Sequence, residues 1–490
     1  MDRPKPDNGV KAQVKGQLRL LRIVLPRIPF VLRVVLLHIL KVSEPSKYLD
    51  LRSNVTVSFL RNLLGNSSPS PIAKTQALTL KDPGVKGRIW ISTVASQVPP
   101  EQSIRDALLA VIKSMKADLV PGDKECRIPE IVPVEAEWTG YRAAANPNSA
   151  LPEISEEEKY REMMKECKSA VTVLYFHGGA YYLCDPSTHR DSTKKLAKLT
   201  KGRVYSVRYR LAPQNPFPSA ALDALVSYFT LLYPPPGSIH EAVPPTNIVF
   251  GGDSAGGHLS LCLLQTILEL RRQNLKITWF GEEREVPLPA GVSLNSPWLD
   301  MVQSLPSWMK NLKWDYLPPP NLLAENNIPP DSVWPASPPR KHLFVDDAFL
   351  LHPLVSLQLA SSWEGSPPVY ICTGWECLAD EDKYVAAQFA KHGVPVVFEE
   401  YEAMPHVFAP ILGKIPEAKR CYDGWASFIT RAVENPKSIE SSYTTIKAKT
   451  CEELPLDVEK LSPYTHEDLR KLAFDKIGRK STMPEVPAKL

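Results

Sequence analysis

Val249-Phe250-Gly251-Gly252-Asp253-Ser254-Ala255-Gly256-Gly257 decides how this chain is read. An apolar run ends in a glycine-flanked serine, and Leu259, Leu261, Cys262, Leu263 and Leu264 follow at once as an apolar helix. This is the G-x-S-x-G arrangement of a nucleophilic serine raised on a sharp strand-to-helix turn. The turn holds the serine in a sparsely populated backbone region, and the flanking glycines leave room for it to pack. The helix behind points its positive N-terminal end at the reacting oxygen. His177-Gly178-Gly179-Ala180, 75 residues upstream, follows another apolar run and has the HGG form of an oxyanion loop. In this reading Ser254 attacks an acyl carbonyl, and the N–H groups of Gly178, Gly179 and Ala255 hold the oxyanion, each worth about 3–4 kcal/mol. The plain alternative, a turn of small residues, leaves the order of the two motifs and the strand–turn–helix context without a reason.

Tyr209-Arg210-Leu211-Ala212-Pro213, Pro216-Phe217-Pro218 and Asp223-Ala224 join these motifs. Together they resemble the hormone-sensitive-lipase family of α/β hydrolases, over about residues 130–430, and within it the fungal esterase/lipase branch. The resemblance implies an α/β-hydrolase fold: a mostly parallel central sheet, helices on both faces and a cap. It also implies ester hydrolysis with neither a metal nor an organic cofactor.

In that fold the nucleophile is followed by an acid and then a histidine. His406, in Glu402-Ala403-Met404-Pro405-His406-Val407-Phe408, leaves the strand-like run 395–401 and is the expected base. His392 reads as a surface residue at a helix end closed by Gly393, and His352 precedes a proline in an insert. Relatives carry Asp-x-Leu-x-Asp where this chain has Glu376-Cys377-Leu378-Ala379-Asp380. Glu376 therefore takes the place of the usual aspartate, 30 residues before His406. A glutamate suffices, since the acid need only accept the imidazole Nδ1–H and fix one tautomer. Asp380 is the rival, with a helix N-terminus as its plain role. His177 is expected to shape the glycine loop, and Asp253 to accept bonds from nearby backbone donors.

The 490 residues exceed one ordinary domain. We divide them into a basic amphipathic segment (1–45), an N-terminal region contributing to cap and first strands (46–130), a catalytic domain (131–435) with a cap insertion (300–352), and a C-terminal extension (436–490). The 48 prolines cluster between elements and read as rigid loops. Eight cysteines show no zinc spacing and do not fix a redox compartment. The net charge of +4 is unevenly placed, with ten Lys or Arg against four Asp or Glu in residues 1–50. The basic balance is thus N-terminal and gives no sign of a nucleic-acid-binding core.

Residues 18–40 are apolar but interrupted by Arg19, Arg22, Arg27 and Arg33 and by Pro26 and Pro29. A span needs about 20 apolar residues, and a central arginine costs roughly 2.5–3.5 kcal/mol. At helical spacing Lys15, Arg19, Arg22 and Arg33 share an arc. We expect a kinked element lying on a membrane surface, apolar face down, or else packed on the protein itself. The endoplasmic reticulum is the expected compartment, the cytoplasm the alternative. Asn54-Val55-Thr56 and Asn66-Ser67-Ser68 are glycosylation triplets that matter only in a lumenal protein.

Strands are expected over 78–92, 132–143, 171–176, 204–207, 247–250, 290–294, 369–372 and 396–401, with helices between them from 171 onward. Residues 103–117 and 465–477 have helical spacing. The insert at 300–352, with Trp308, Trp314 and Trp334, would cap Ser254; alternatively its aromatics only anchor it. The expected reaction is hydrolysis of an apolar short-acyl ester, such as an acetylated sterol or a xenobiotic. An amidase or deacetylase would use the same groups. A non-catalytic ligand receptor on this fold would be marked by loss of the histidine.

Overall fold

The computed structural model describes residues 24–65, 69–116, 119–120, 124–320 and 328–478. Its strands are β1 (Ile89–Ala95), β2 (Glu135–Tyr141), β3 (Thr172–Phe176), β4 (Arg203–Arg208), β5 (Ile248–Asp253), β6 (Ile277–Trp279), β7 (Glu282–Arg284), β8 (Gly291–Asn295), β9 (Val369–Gly374), β10 (Val396–Tyr401), β11 (Ser442–Ile446) and β12 (Glu453–Pro455). All but the β6–β7 hairpin form one sheet in the order β1-β2-β4-β3-β5-β8-β9-β10-β11-β12. The run from β4 to β11 is parallel, while β1, β2 and β12 pair antiparallel.

The α-helices of two turns or more are α1 (Ile28–Ile39), α2 (Leu51–Gly65), α3 (Ile72–Thr79), α4 (Ser103–Ser114), α5 (Glu156–Glu166), α6 (Pro186–Thr200), α7 (Ser219–Leu232), α8 (Ala255–Arg272), α9 (Ala379–Lys391), α10 (Pro416–Glu434) and α11 (His466–Lys476). Successive strand residues point to opposite faces, and both faces are covered. Leu174 and Phe176 of β3 join a core with α4, α7, α8 and α9. Val173 and Tyr175 join a second core with α6 and α10. Burial on both sides explains why these strands read as continuous apolar runs.

The strand expected over 78–92 begins only at Ile89, because residues 72–79 are α3. Gln76 fixes that helix from outside: its buried amide donates to the carbonyls of Tyr182 (3.0 Å) and Ala212 (2.8 Å). Tertiary bonds thus override the short alternation of Leu78 and Leu80. Beyond residue 438, β11 extends the sheet beside β10, and α11 buries Leu469, Ala473 and Phe474.

Pro26 and Pro29 stand in the first turns of a 3₁₀ turn (Leu25–Arg27) and of α1, where proline suits a helix start. They begin the helix rather than break it. Leu25, Ile28, Leu32, Leu36, Ile39 and Leu40 are all exposed and lie on one side at helical spacing. The opposite side packs on α2, where His38 Nδ1 meets the Asn54 side chain at 2.9 Å. Asn54 is buried, so it is no accessible glycan acceptor. Lys15, Arg19, Arg22 and the Asn66 triplet lie outside the described residues. Among the described residues no helix is long and apolar enough to cross a membrane.

Candidate active site

Ser254 stands between β5 and α8 with φ 52° and ψ −121°, a strained conformation suited to an exposed nucleophile. Its backbone is pinned: its N–H donates to Asn295 (3.0 Å), and its C=O accepts from His258 (3.0 Å) and Trp298 (3.1 Å). Close packing demands the glycines. A Cβ on Gly256 would lie 2.0 Å from the Phe176 carbonyl oxygen, and one on Gly178 would lie 2.3 Å from Asp253 Oδ2. The HGG loop is thereby pressed against the serine turn. Ala255 opens α8, so its N–H has no intrahelical acceptor.

Neighbouring parallel strands bring Glu376 and His406, and with them Ser296, to the same carboxyl edge. Ser296 follows β8, Glu376 follows β9 and His406 follows β10. His406 Nδ1 lies 2.9 Å from Glu376 Oε1. The second carboxylate oxygen accepts the Ser296 hydroxyl (2.7 Å) and the Gly374 N–H (3.2 Å). The same hydroxyl oxygen accepts the Val407 N–H (3.2 Å). Glu376 has no exposed surface. Burial works against a charged His406. Glu376, by charge and by hydrogen bond, then Asp315 and Asp253, outweigh it and hold the imidazole pKa above its usual value. Ser254 Oγ makes no hydrogen bond to His406; such bonds often tighten only around substrate.

Asp380 makes no bond to His406. It sits in the first turn of α9 and accepts from the Ser307 N–H (3.0 Å) and the Tyr464 hydroxyl (3.5 Å). His177 turns Nδ1 to the Gly178 carbonyl (2.7 Å) and stacks on Tyr209 at 4.3 Å. Burial drives its pKa down to about 4, so it is a neutral prop of the loop. Asp253 corrects the expectation of backbone donors: its partners are side chains, the Tyr175 hydroxyl (2.5 Å) and His189 Nε2 (3.4 Å).

The insert reaches the site as well. Trp308 packs on Cys377 and Leu378. Trp314 lies edge-on to Tyr48 (5.3 Å) and Trp375 (5.5 Å). Ser296 and Asp315 are the residues that sequence reasoning missed. Ser296 stands just ahead of the insert with no motif to mark it, and Asp315 carries no spacing that would single it out.

Residues 173–410 match a family described as having the alpha/beta hydrolase fold, and that is the fold of this chain. An acetyl-hydrolase of Streptomyces hygroscopicus is 29% identical over 53% of this chain and 76% of its own length. An esterase of Acinetobacter venetianus is 29% identical over 55% and 78%. A solved hormone-sensitive lipase from a metagenome library aligns with 67% of this chain and 91% of its own, at 26% identity and a TM-score of 0.46.

Proposed function

We propose that this carboxylic-ester hydrolase works through an acyl-enzyme on Ser254. The serine Oγ bonds to the ester carbonyl carbon while its proton passes to His406 Nε2. The carbonyl oxygen, now an anion, is held by the N–H groups of Gly178, Gly179 and Ala255. The C–O bond to the alcohol breaks as His406 returns the proton to the leaving oxygen. Water then repeats the sequence on the acyl-enzyme and releases the acid. Glu376 takes no proton; it keeps Nδ1–H in place and stabilises the imidazolium. The observation that carries this reading is the buried Glu376–His406 pair at 2.9 Å, on strand ends beside a serine in the strained turn.

The proposed substrates are apolar short-acyl esters, a class that includes acetylated sterols. A fluorophosphonate probe should label the protein, and Ser254→Ala should abolish labelling and lower kcat by about 10⁴-fold or more while remaining folded. Wild-type turnover in that variant ends the reading. A series of ester chain lengths, with an anilide beside each, checks the substrate class: activity highest on long acyl chains or on the anilides overturns it.

The exposed side of α1 supplies a place for such substrates to be met. Leu32 is 62% exposed, Leu36 57% and Ile39 64%, and exposed Arg33 borders them. The reading seats this face on a lipid surface, the aliphatics inserted and the cation toward phosphate. Joint Leu32→Glu and Leu36→Glu substitution should abolish sedimentation with phosphatidylcholine–phosphatidylserine vesicles. Retention at the wild-type level would sink the attachment, whatever happens to the esterase reading.

A further inference from the structure

Asp315 belongs to the insert, yet it is fully buried between the loops that carry Glu376 and His406. Oδ1 accepts the N–H groups of His406 (3.2 Å), Tyr316 (2.7 Å) and Leu317 (3.3 Å), and Oδ2 accepts that of Cys377 (2.8 Å). The bonds to Tyr316 and Leu317 are local and would suit any turn-forming aspartate. Those to His406 and Cys377 are not. They cross 91 and 62 residues of sequence to reach the candidate base itself and the residue after the candidate acid. A buried carboxylate accepting several N–H groups is a strong anchor, because each bond is charge-assisted.

The anchor is itself held. Arg61 of α2 donates Nε to the Asp315 carbonyl (2.5 Å) and Nη2 to that of Lys313 (2.8 Å). Lys313 pairs with Glu44 (2.7 Å), and Tyr48 packs edge-on against Trp314 and Trp375. The first helices therefore clamp the strap 311–317 over the triad loops.

We propose that Asp315 is a positioning residue for the hydrolysis described above. It fixes the Glu376 and His406 loops in mutual register and sets a second negative charge beside the imidazolium from the insert side. The proposal rests on the triad reading.

The charged and titratable groups around His406 are Glu376 after β9, Asp253 at the end of β5, and Asp315 with the Tyr316 ring (6.2 Å) from the insert. Around Asp315 stand Arg61 and the Cys377 thiol. Burial first and then Asp315 push that thiol up, so it stays neutral. Among these groups Asp315→Asn removes a single carboxylate charge. The base works as neutral imidazole, so rate rises with pH through its pKa. Losing a nearby anion lowers that pKa.

The test measures p-nitrophenyl butyrate hydrolysis, its pH profile and thermal unfolding for wild type and Asp315→Asn. We expect kcat to fall about 10- to 100-fold with KM little changed, and the acid limb of kcat to move to lower pH. A folded variant whose acid limb does not move overturns the proposal. If that variant does not fold, Arg61→Lys keeps the charge and loosens only the clamp. It should lower kcat about 3- to 10-fold, and an unchanged kcat there overturns the proposal. Labelling that depends on Ser254 in the wild type, together with either negative result, would sink this inference alone. Labelling independent of Ser254 would sink the triad reading first.

Discussion

Two histidine–carboxylate pairs stand at the carboxyl edge of the sheet, and the proposed mechanism uses only one of them to move a proton. His406 meets Glu376 at 2.9 Å and His189 meets Asp253 at 3.4 Å. In both, burial lowers the histidine pKa, and the paired carboxylate together with neighbouring groups more than restores it. The shifts therefore do not tell them apart. The nitrogens do. His406 spends Nδ1 on Glu376 and has no hydrogen bond at Nε2 among the described residues. His189 spends Nε2 on Asp253, and its Nδ1 meets the Thr188 hydroxyl at 2.9 Å. With both nitrogens engaged, His189 is a brace under the serine turn. Both histidines have a charged partner and a raised pKa; of the two, only His406 joins these to an unengaged nitrogen.

The contrast breaks most readily at the carboxylates. Glu376→Gln should cost about 10⁴-fold in kcat, because the wrong tautomer would turn a proton toward Ser254. Asp253→Asn should cost about tenfold, since it only loosens the prop under Gly178, and it should lower stability by about 1–3 kcal/mol in urea unfolding. Steady-state kinetics of the two folded variants decide the matter: if Asp253→Asn is the more damaging, the roles must be exchanged.

The pH dependence sharpens the same contrast. Because His406 is held above the ordinary histidine value of 6.5, the acid limb of kcat/KM should fall above that pH in the free enzyme. About one unit below the limb, activity should be roughly tenfold reduced. A limb well below 6.5 would mean that His406 carries no such charge support. His189→Gln should leave that limb in place and change kcat by less than about fivefold. Asp380→Asn should have the smallest effect, within about twofold in kcat, and a larger loss would return Asp380 to the list of acids.

The same edge shows what reading the chain could reach. Ser254, Glu376 and His406 each follow a buried strand, and such strands announce themselves as short apolar runs, so their order was legible along with the parallel sheet. The α3 helix was not, because Gln76 fixes it through carbonyls at Tyr182 and Ala212, far away in sequence. Strand β11 was missed although Tyr443, Thr444, Thr445 and Ile446 suit a strand; what makes it one is the open side of β10. Asp315 lies in a proline-rich insert with no periodicity, and its partners meet it only after the sheet has folded.

Strand β12 has a consequence outside catalysis. It closes one side of the large sheet with Glu453-Leu454-Pro455, all three exposed. Pro455 stands opposite Thr444 and offers no N–H to a newcomer. Glu453 brings a carboxylate, already drawn back toward Arg420 at 2.8 Å. A second copy, or a fibril tip, arriving there would find a missing donor and a charge where it needs a ladder. The outermost three residues of the sheet thus make crowding tolerable, limiting strand-by-strand aggregation at the margin farthest from β1.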